Sequence, residues 1–137
     1  MNKQNQGQRA VLYARKSTES EDKQVQSIDD QIREMKAIAN DEGLIIVDIL
    51  SECKSAKAPG VREEFKKMIQ DIEKGKYNVI LAWDTSRLSR NPKDGGDLQW
   101  LLDRGVLSGI RTNEKWYRDN DELLFTIENS TNSRFIK

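Results

Sequence analysis

Hydroxyl and guanidinium side chains that could act together on a phosphate group occur in three separate segments of the sequence. Each segment follows a short apolar run of the kind that forms a buried β-strand. The residues are Arg15, Ser17 and Thr18 in the first segment, Ser51, Glu52, Lys54, Ser55, Lys57 and Arg62 in the second, and Asp84, Thr85, Ser86, Arg87, Ser89 and Arg90 in the third. If the three segments meet, one reactive hydroxyl lies among several guanidinium groups.

Such a cluster suits nucleophilic attack on phosphorus without a metal ion. Guanidinium groups stay charged near neutral pH, and their planar donors match phosphate oxygens. They can stabilise the extra negative charge of a pentavalent phosphorane, and the loss of one such donor typically lowers the rate ~10²–10³-fold. The product is a phosphate ester similar in energy to the bond that breaks, so the step is reversible and needs no ATP. The sequence therefore predicts neither a metal nor another cofactor.

The composition argues against several other kinds of site. The sequence has no histidine, which excludes His-based catalytic triads, dyads and zinc sites. A single cysteine excludes an internal disulfide and indicates a reducing, cytoplasmic setting. No apolar run approaches the length of a membrane span, and residues 1–8 are too polar for a signal peptide. Because 23 basic and 23 acidic residues balance, binding to nucleic acid needs most of its contacts from elsewhere.

Apolar runs alternate with helix-like stretches, which predicts an α/β domain with a mostly parallel central sheet of four to five strands flanked by helices. The predicted strands are 10–14, 44–50, 78–83 and about 107–112. Ser27 and Gly43 are typical start and stop residues of one helix, Gly75 ends a second, and Pro92 and Gly105 bound a third. Ligands of parallel sheets bind beyond the carboxyl ends of the strands, so the three polar segments are expected at one edge.

The same patterns divide the chain into three parts. Residues 1–8 are expected to form a disordered tail, and residues 9–120 carry the alternating pattern of one domain. A further helix begins near Asp121 and has no stop signal before the last residue. We therefore expect residues 121–137 to be the start of a longer helix in a longer protein.

Short motifs in the polar segments resemble those of one known family. Residues 13–18, Tyr-Ala-Arg-Lys-Ser-Thr, resemble the first-strand motif of the serine site-specific recombinases, which comprise resolvases, invertases and large serine integrases. Ser27 and Gln31 resemble the serine and glutamine that follow that motif. Residues 52–65 resemble the second-strand loop, and residues 87–91, Arg-Leu-Ser-Arg-Asn, resemble the paired-arginine motif. The long gap between the first serine and the glutamine is most similar to the large serine recombinases of phages and conjugative transposons.

The resemblance implies a role for each matched residue. It makes Ser17 the nucleophile that attaches to a 5′ phosphate. It implies contacts with the scissile phosphate for Arg15, Arg87, Arg90 and Arg62, and orienting roles for Gln31 and Glu52. Many relatives have an aspartate at the position of Ser86, so the carboxylate that orients the first arginine of the pair is left open, with Asp84 as a candidate. Arg134 is similar to an arginine of the family's long helix.

The resemblance also implies partners and a setting. Members of the family act on DNA as dimers that pair into tetramers, without a small-molecule cofactor or a membrane. We expect the DNA-binding domain to lie outside this chain, and the protein to act on DNA in the cytoplasm of a prokaryotic cell.

Other interpretations of the same residues remain open. A metal-dependent nuclease could hold magnesium with Glu52, Asp84 and either Asp29 or Asp30. A catalytically inactive module could bind phosphate or DNA through the arginines alone. For Arg62, a surface ion pair with the neighbouring residue 63 or 64 is as good an interpretation as a catalytic role.

Overall fold

The computed structural model describes residues 8–16, 27–53 and 62–119. Ser17, Arg134, residues 1–7 of the predicted tail and the helix predicted from Asp121 lie outside these residues. The described elements, in chain order, are β1 (Arg9–Arg15), α1 (Ile28–Glu42), β2 (Ile45–Glu52), α2 (Glu63–Glu73), β3 (Val79–Leu81), α3 (Thr85–Leu88), α4 (Pro92–Asp103), β4 (Gly109–Arg111) and β5 (Trp116–Tyr117).

The strands form one sheet in the order β2-β1-β3-β4-β5. The first four strands are parallel, and β5 runs antiparallel to β4. The prediction of a mostly parallel sheet of four to five strands flanked by helices is confirmed. The parallel order places the carboxyl ends of β1, β2 and β3 at the same edge of the sheet.

Both faces of the sheet are covered, and β1 contributes to both cores because its side chains alternate between the faces. Val11 and Tyr13 pack with α2 and α4, whereas Leu12 and Ala14 pack with α1 on the other face. The central strand β3 is buried along its whole length, as the sequence predicts. Arg15 continues the alternation of Val11 and Tyr13. Its side chain therefore lies on the face of the sheet that α2 and α4 cover.

The edge strand β2 differs from the buried strands. Its residues alternate in exposure, and Ile45, Val47 and Ile49 are 58%, 41% and 41% exposed. The strand pairs with β1 on one side, and a register irregularity between Ala10 and Val11 shifts the pairing. Beyond this shift, Glu52 lies opposite Arg15 at the carboxyl edge.

Local signals in the sequence set the bounds of α1. Ser27 precedes the helix, and its hydroxyl accepts a hydrogen bond from the Asp30 amide at 3.1 Å. Gly43 ends the helix with φ 73°, a left-handed conformation that favours glycine. The predicted start and stop residues of this helix are therefore confirmed. Among the described residues, no helix is long and apolar enough to cross a membrane.

Candidate active site

The side chains of Arg15 and Arg87 donate hydrogen bonds to each other's backbone at the carboxyl edge of the sheet. The Arg15 guanidinium donates from Nε to the Arg87 carbonyl at 3.0 Å and from Nη2 to the Ser86 carbonyl at 2.8 Å. In return, Arg87 Nη1 donates to the Arg15 carbonyl at 2.9 Å. Both side chains are buried, at 0% and 1% exposure. The end of β1 and the short helix after β3 are thus joined by two charged side chains that lie 72 positions apart.

Gln31 fixes the same end of β1 from the α1 side. Its Nε2 donates to the Arg15 carbonyl at 3.0 Å, and its Oε1 accepts from the Arg15 amide at 3.2 Å. Because one side-chain amide pairs with both backbone groups, the orientation of Arg15 is set at its backbone. Ser17, two residues further along, lies outside the described residues.

Arg62 lies in the same cluster and is 1% exposed. Its Nη1 donates to the Tyr13 hydroxyl at 3.2 Å and to the Arg87 carbonyl at 3.3 Å, and its Nη2 pairs with Asp94 Oδ2 at 3.0 Å. The guanidinium also stacks on the Phe65 ring, with 3.9 Å between Cζ and the ring centroid. A surface ion pair with residue 63 or 64 is therefore wrong for Arg62, because the chain turns this side chain inward at the start of α2.

Glu52 joins this cluster through the α2 N-terminus and Tyr13. Its carboxylate accepts hydrogen bonds from the Glu64 and Phe65 amides, each at 3.1 Å, where a negative charge also complements the helix dipole. The Tyr13 hydroxyl donates to Glu52 Oε2 at 2.5 Å. The ordinary pKa of a tyrosine already lies above neutral pH, and burial raises the pKa of Tyr13 further, so this hydroxyl carries the proton that it donates. Glu52 is thus linked to Arg62 through one phenol.

Asp84 is the carboxylate that meets Arg87. It begins α3, where its Oδ1 accepts from the Arg87 amide at 3.2 Å and lies 3.6 Å from Arg87 Nε. Ser86 donates its hydroxyl to Asp84 at 2.6 Å and accepts from Arg87 Nη2 at 3.2 Å. The serine at the position of the relatives' aspartate therefore bridges the arginine to a carboxylate two residues back.

Arg90 has a different environment. It follows α3 and is partly exposed, whereas Arg15, Arg62 and Arg87 are buried. The structure thus brings three of the four predicted arginines together with Gln31, and places Glu52 and Asp84 beside them.

A family model described as "Resolvase, N terminal domain" matches residues 10–133 of the chain. The chain belongs to this resolvase family. The match confirms the family that the motifs indicate, and membership identifies a recombinase domain. The division of the chain into a tail, a domain and a separate long helix stays a prediction.

Several solved structures share this fold. The N-terminal catalytic domain of TP901-1 integrase aligns with a TM-score of 0.68 at 23% identity, over 94% of this chain and 97% of that chain. A resolvase family site-specific recombinase from Streptococcus pneumoniae gives 0.68 at 24% identity, over 94% and 87%. The C-terminal catalytic domain of ISC1926 TnpA, an IS607-like serine recombinase, gives 0.62 at 23% identity, over 85% and 75%. At these identities the likeness shows that the resolvase fold is shared.

Three residues in or beside the arginine cluster make contacts that are not predicted above from the sequence. Tyr13 links Glu52 to an arginine, and Asn91 and Asp94 contact each other at the start of α4. The sequence does indicate a place for Tyr13 near the cluster. Side chains of a strand alternate between its two faces, so Tyr13 lies on the same face of β1 as Arg15. The spacing of Asn91 and Asp94 is typical of a helix start, but it says nothing of the distant arginine that the aspartate pairs with.

Three of the four acidic residues considered for a metal site have other partners. Glu52 binds the α2 N-terminus, Asp84 binds Arg87 and Ser86, and Asp30 pairs with Arg33 on α1. Within residues 8–16, 27–53 and 62–119, no three acidic, histidine or cysteine side chains form a group that could hold a metal ion.

Proposed function

We propose that this chain is the catalytic domain of a serine site-specific recombinase, which cleaves and rejoins DNA through a covalent bond between Ser17 and a 5′ phosphate. The observation that carries the proposal is the reciprocal pairing of Arg15 and Arg87 at the end of β1. That strand leads directly into Ser17. Membership of the resolvase family supports the same assignment.

In the proposed reaction, Ser17 Oγ attacks phosphorus and the bond from phosphorus to the 3′ oxygen breaks. The serine loses one proton and the leaving 3′ oxygen gains one, so the step is balanced without an external reactant. Attack by a 3′ hydroxyl on the phosphoserine ester then reseals a DNA strand and regenerates the serine. The arginine cluster of Arg15, Arg87, Arg90 and Arg62 stabilises the charge that builds up on the phosphoryl oxygens.

Binding of the phosphate requires a rearrangement of this edge. Arg15, Arg62 and Arg87 are at most 1% exposed, and their guanidinium groups donate to backbone carbonyls. Phosphate oxygens carry a negative charge and are stronger acceptors for guanidinium than carbonyls are. We therefore infer that DNA binding and self-association shift these groups from carbonyl partners to the scissile phosphate.

The orienting roles of Gln31, Glu52 and Asp84 follow from their contacts. Each binds a backbone group or a side chain next to one of the arginines, and none needs to touch the phosphate in order to act. Since the chain has zero net charge, DNA binding by these 137 residues is expected to be weak and strongly dependent on salt.

The proposal is tested by trapping the covalent intermediate. The full-length protein is incubated in EDTA with a pool of supercoiled plasmids that carry fragments of the source genome, and the reaction is stopped with SDS. We expect a nucleotide adduct on the peptide that contains Ser17, which is lost in Ser17→Ala and kept in Cys53→Ala. Cleavage that EDTA abolishes, an adduct on another residue, or DNA binding without any adduct would each overturn the proposal.

A further inference from the structure

Asp94 is a buried carboxylate at the border of the arginine cluster. It lies in the first turn of α4, and its side chain is 7% exposed. Oδ2 accepts from Arg62 Nη2 at 3.0 Å and from Asn91 Nδ2 at 2.9 Å. The Asp94 amide donates to Asn91 Oδ1 at 2.8 Å, which fixes the backbone of this turn. The carboxylate is therefore held in place by α4 and aimed at one guanidinium.

Arg62 transmits this contact to the centre of the cluster. Its Nη1 donates to the Arg87 carbonyl at 3.3 Å, and the same carbonyl accepts from Arg15 Nε at 3.0 Å. One backbone oxygen is thus shared by two arginines. A change in the position of Arg62 therefore alters the acceptor that holds Arg15 before its guanidinium moves to the phosphate.

From these contacts we propose that Asp94 is a positioning residue for phosphoryl transfer, which acts through Arg62 to set the arrangement of Arg15 and Arg87. The proposal rests on the function proposed above and adds a residue to it. Asp94 does not touch the phosphate. Its negative charge balances a guanidinium that is almost completely removed from solvent, and such a charge needs a close partner to stay buried. The positive end of the α4 dipole stabilises the carboxylate at this position.

A purely structural role predicts a different result. If Asp94 only stabilises the start of α4, its replacement lowers the melting temperature and slows the reaction regardless of the residue at position 62. If it acts through Arg62, its replacement matters only while Arg62 is present. The two roles are separated by a double-mutant cycle on the reaction rate.

The cycle uses the full-length protein and the DNA that the trapping experiment selects. Asp94→Asn retains an acceptor oxygen and the shape of the side chain, and it is expected to lower the single-turnover rate of Ser17 adduct formation about 10- to 100-fold with DNA affinity unchanged. In an Arg62→Ala background, the same replacement is expected to lower the rate less than twofold. Equal losses in both backgrounds, or no loss in either, overturn the proposal.

Two further variants serve as controls. Asp97→Asn removes a carboxylate from the same helix, where it pairs with exposed Lys93 at 3.0 Å, and is expected to leave the rate unchanged. Asp94→Glu keeps the charge and is expected to retain more of the rate than Asp94→Asn at equal melting temperature. If Asp94→Asn does not fold, the cycle is run with Asp94→Glu, and additive losses there count against the proposal.

A readout that does not depend on catalysis distinguishes this proposal from the function on which it rests. In nitrogen-15 spectra, an immobilised guanidinium gives separate signals for its terminal nitrogens. We expect these signals for Arg62 in the wild-type protein and in Asp97→Asn, and their collapse in Asp94→Asn. Fixed Arg62 signals in a protein that forms no Ser17 adduct would refute the recombinase function and leave the Asp94–Arg62 link. An adduct that forms at the wild-type rate in Asp94→Asn refutes this proposal alone.

Discussion

The buried arginines at the carboxyl edge of the sheet and the exposed arginines of the helical segments differ in their burial and in the backbone contacts that they make. Arg33 and Arg104 pair with carboxylates at the surface, Asp30 and Glu73. At the edge, Arg62 and Arg87 also lie beside carboxylates, those of Asp94 and Asp84. In addition, Arg15 and Arg87 donate to backbone carbonyls of each other's segments. Surface ion pairs contribute about 0–1 kcal/mol to the free energy of unfolding. Removal of a guanidinium group from water, by contrast, has a large desolvation cost.

This difference favours a functional role for the buried arginines of the edge. Well-packed apolar side chains are often at least as stabilising as buried charged groups of similar volume. Three arginines nevertheless occupy the buried edge, all with at most 1% exposure. A concentration of buried charge in one place is typical of a functional site, where the arrangement serves chemistry at the expense of stability.

The largest expected effect comes from a change of donor geometry at Arg87. Arg87→Lys keeps a positive charge but loses the planar fork that reaches both the Arg15 carbonyl and Ser86. We expect the rate of Ser17 adduct formation to fall ~10²–10³-fold, as for the loss of a preorganised donor. The matched variant Arg33→Lys, on the exposed face of α1, should keep the wild-type rate. Similar losses of rate for the two variants would contradict the distinction between the buried and the exposed arginines.

A smaller effect is expected at Gln31, measured as stability. Gln31→Ala removes one hydrogen bond from each of the two buried backbone groups of Arg15, whose carbonyl keeps its hydrogen bond from Arg87 Nη1. We expect the free energy of unfolding in urea to fall by about 1–3 kcal/mol. The control is Gln70→Ala on the exposed face of α2, which should change stability by less than about 0.5 kcal/mol. An unchanged unfolding midpoint for Gln31→Ala would mean that the end of β1 is held by other contacts.

A half-exposed carboxylate, Asp48, should show a weaker effect that depends on pH. The hydrogen bond from the Tyr77 hydroxyl, together with Lys76, lowers the pKa of Asp48. A group whose pKa is lowered by folding adds stability that is present above its unfolded pKa of ~3.9 and is lost as the pH falls through the folded value. Wild type and Asp48→Asn should therefore differ in urea midpoint at pH 7, and the difference should shrink as the pH falls below ~3.9. A difference that stays constant as the pH falls through this range would contradict this account.

The smallest effect is expected at the surface ion pair of Arg104 and Glu73, in which Arg104 Nη2 lies 2.5 Å from Glu73 Oε2. Arg104→Ala should change the free energy of unfolding by no more than about 0.5 kcal/mol, because solvent and salt screen the pair. Thermal unfolding at low and high salt checks this. A loss comparable to that of Gln31→Ala would place the exposed pairs in the same class as the buried ones.

The parts of the fold that the sequence predicts are those set by local signals. The caps Ser27 and Gly43 directly flank the helix that they bound, and the apolar runs of β1 and β3 predict the burial of these strands. The convergence of Arg15 and Arg87 was predictable as well, because parallel strands bring their carboxyl ends to one edge.

Other features depend on pairings that no local pattern reports. Strand β5 has two residues and exists through its antiparallel pairing with β4. The ion pair of Arg62 with Asp94 joins residues 32 positions apart, and nearer carboxylates at 63 and 64 compete for the same interpretation in the sequence. Only the packing of α2 against α4 decides between them.

The central claim is that the buried arginines and Ser17 act on the same phosphate. It is tested most directly by replacing the scissile phosphate, once the adduct has located it, with a methylphosphonate that lacks one negatively charged oxygen. If Arg87 acts by stabilising that charge, Arg87→Lys should lose ~10²–10³-fold on the ordinary phosphate and little on the methylphosphonate. An equal loss on both substrates would contradict the claim.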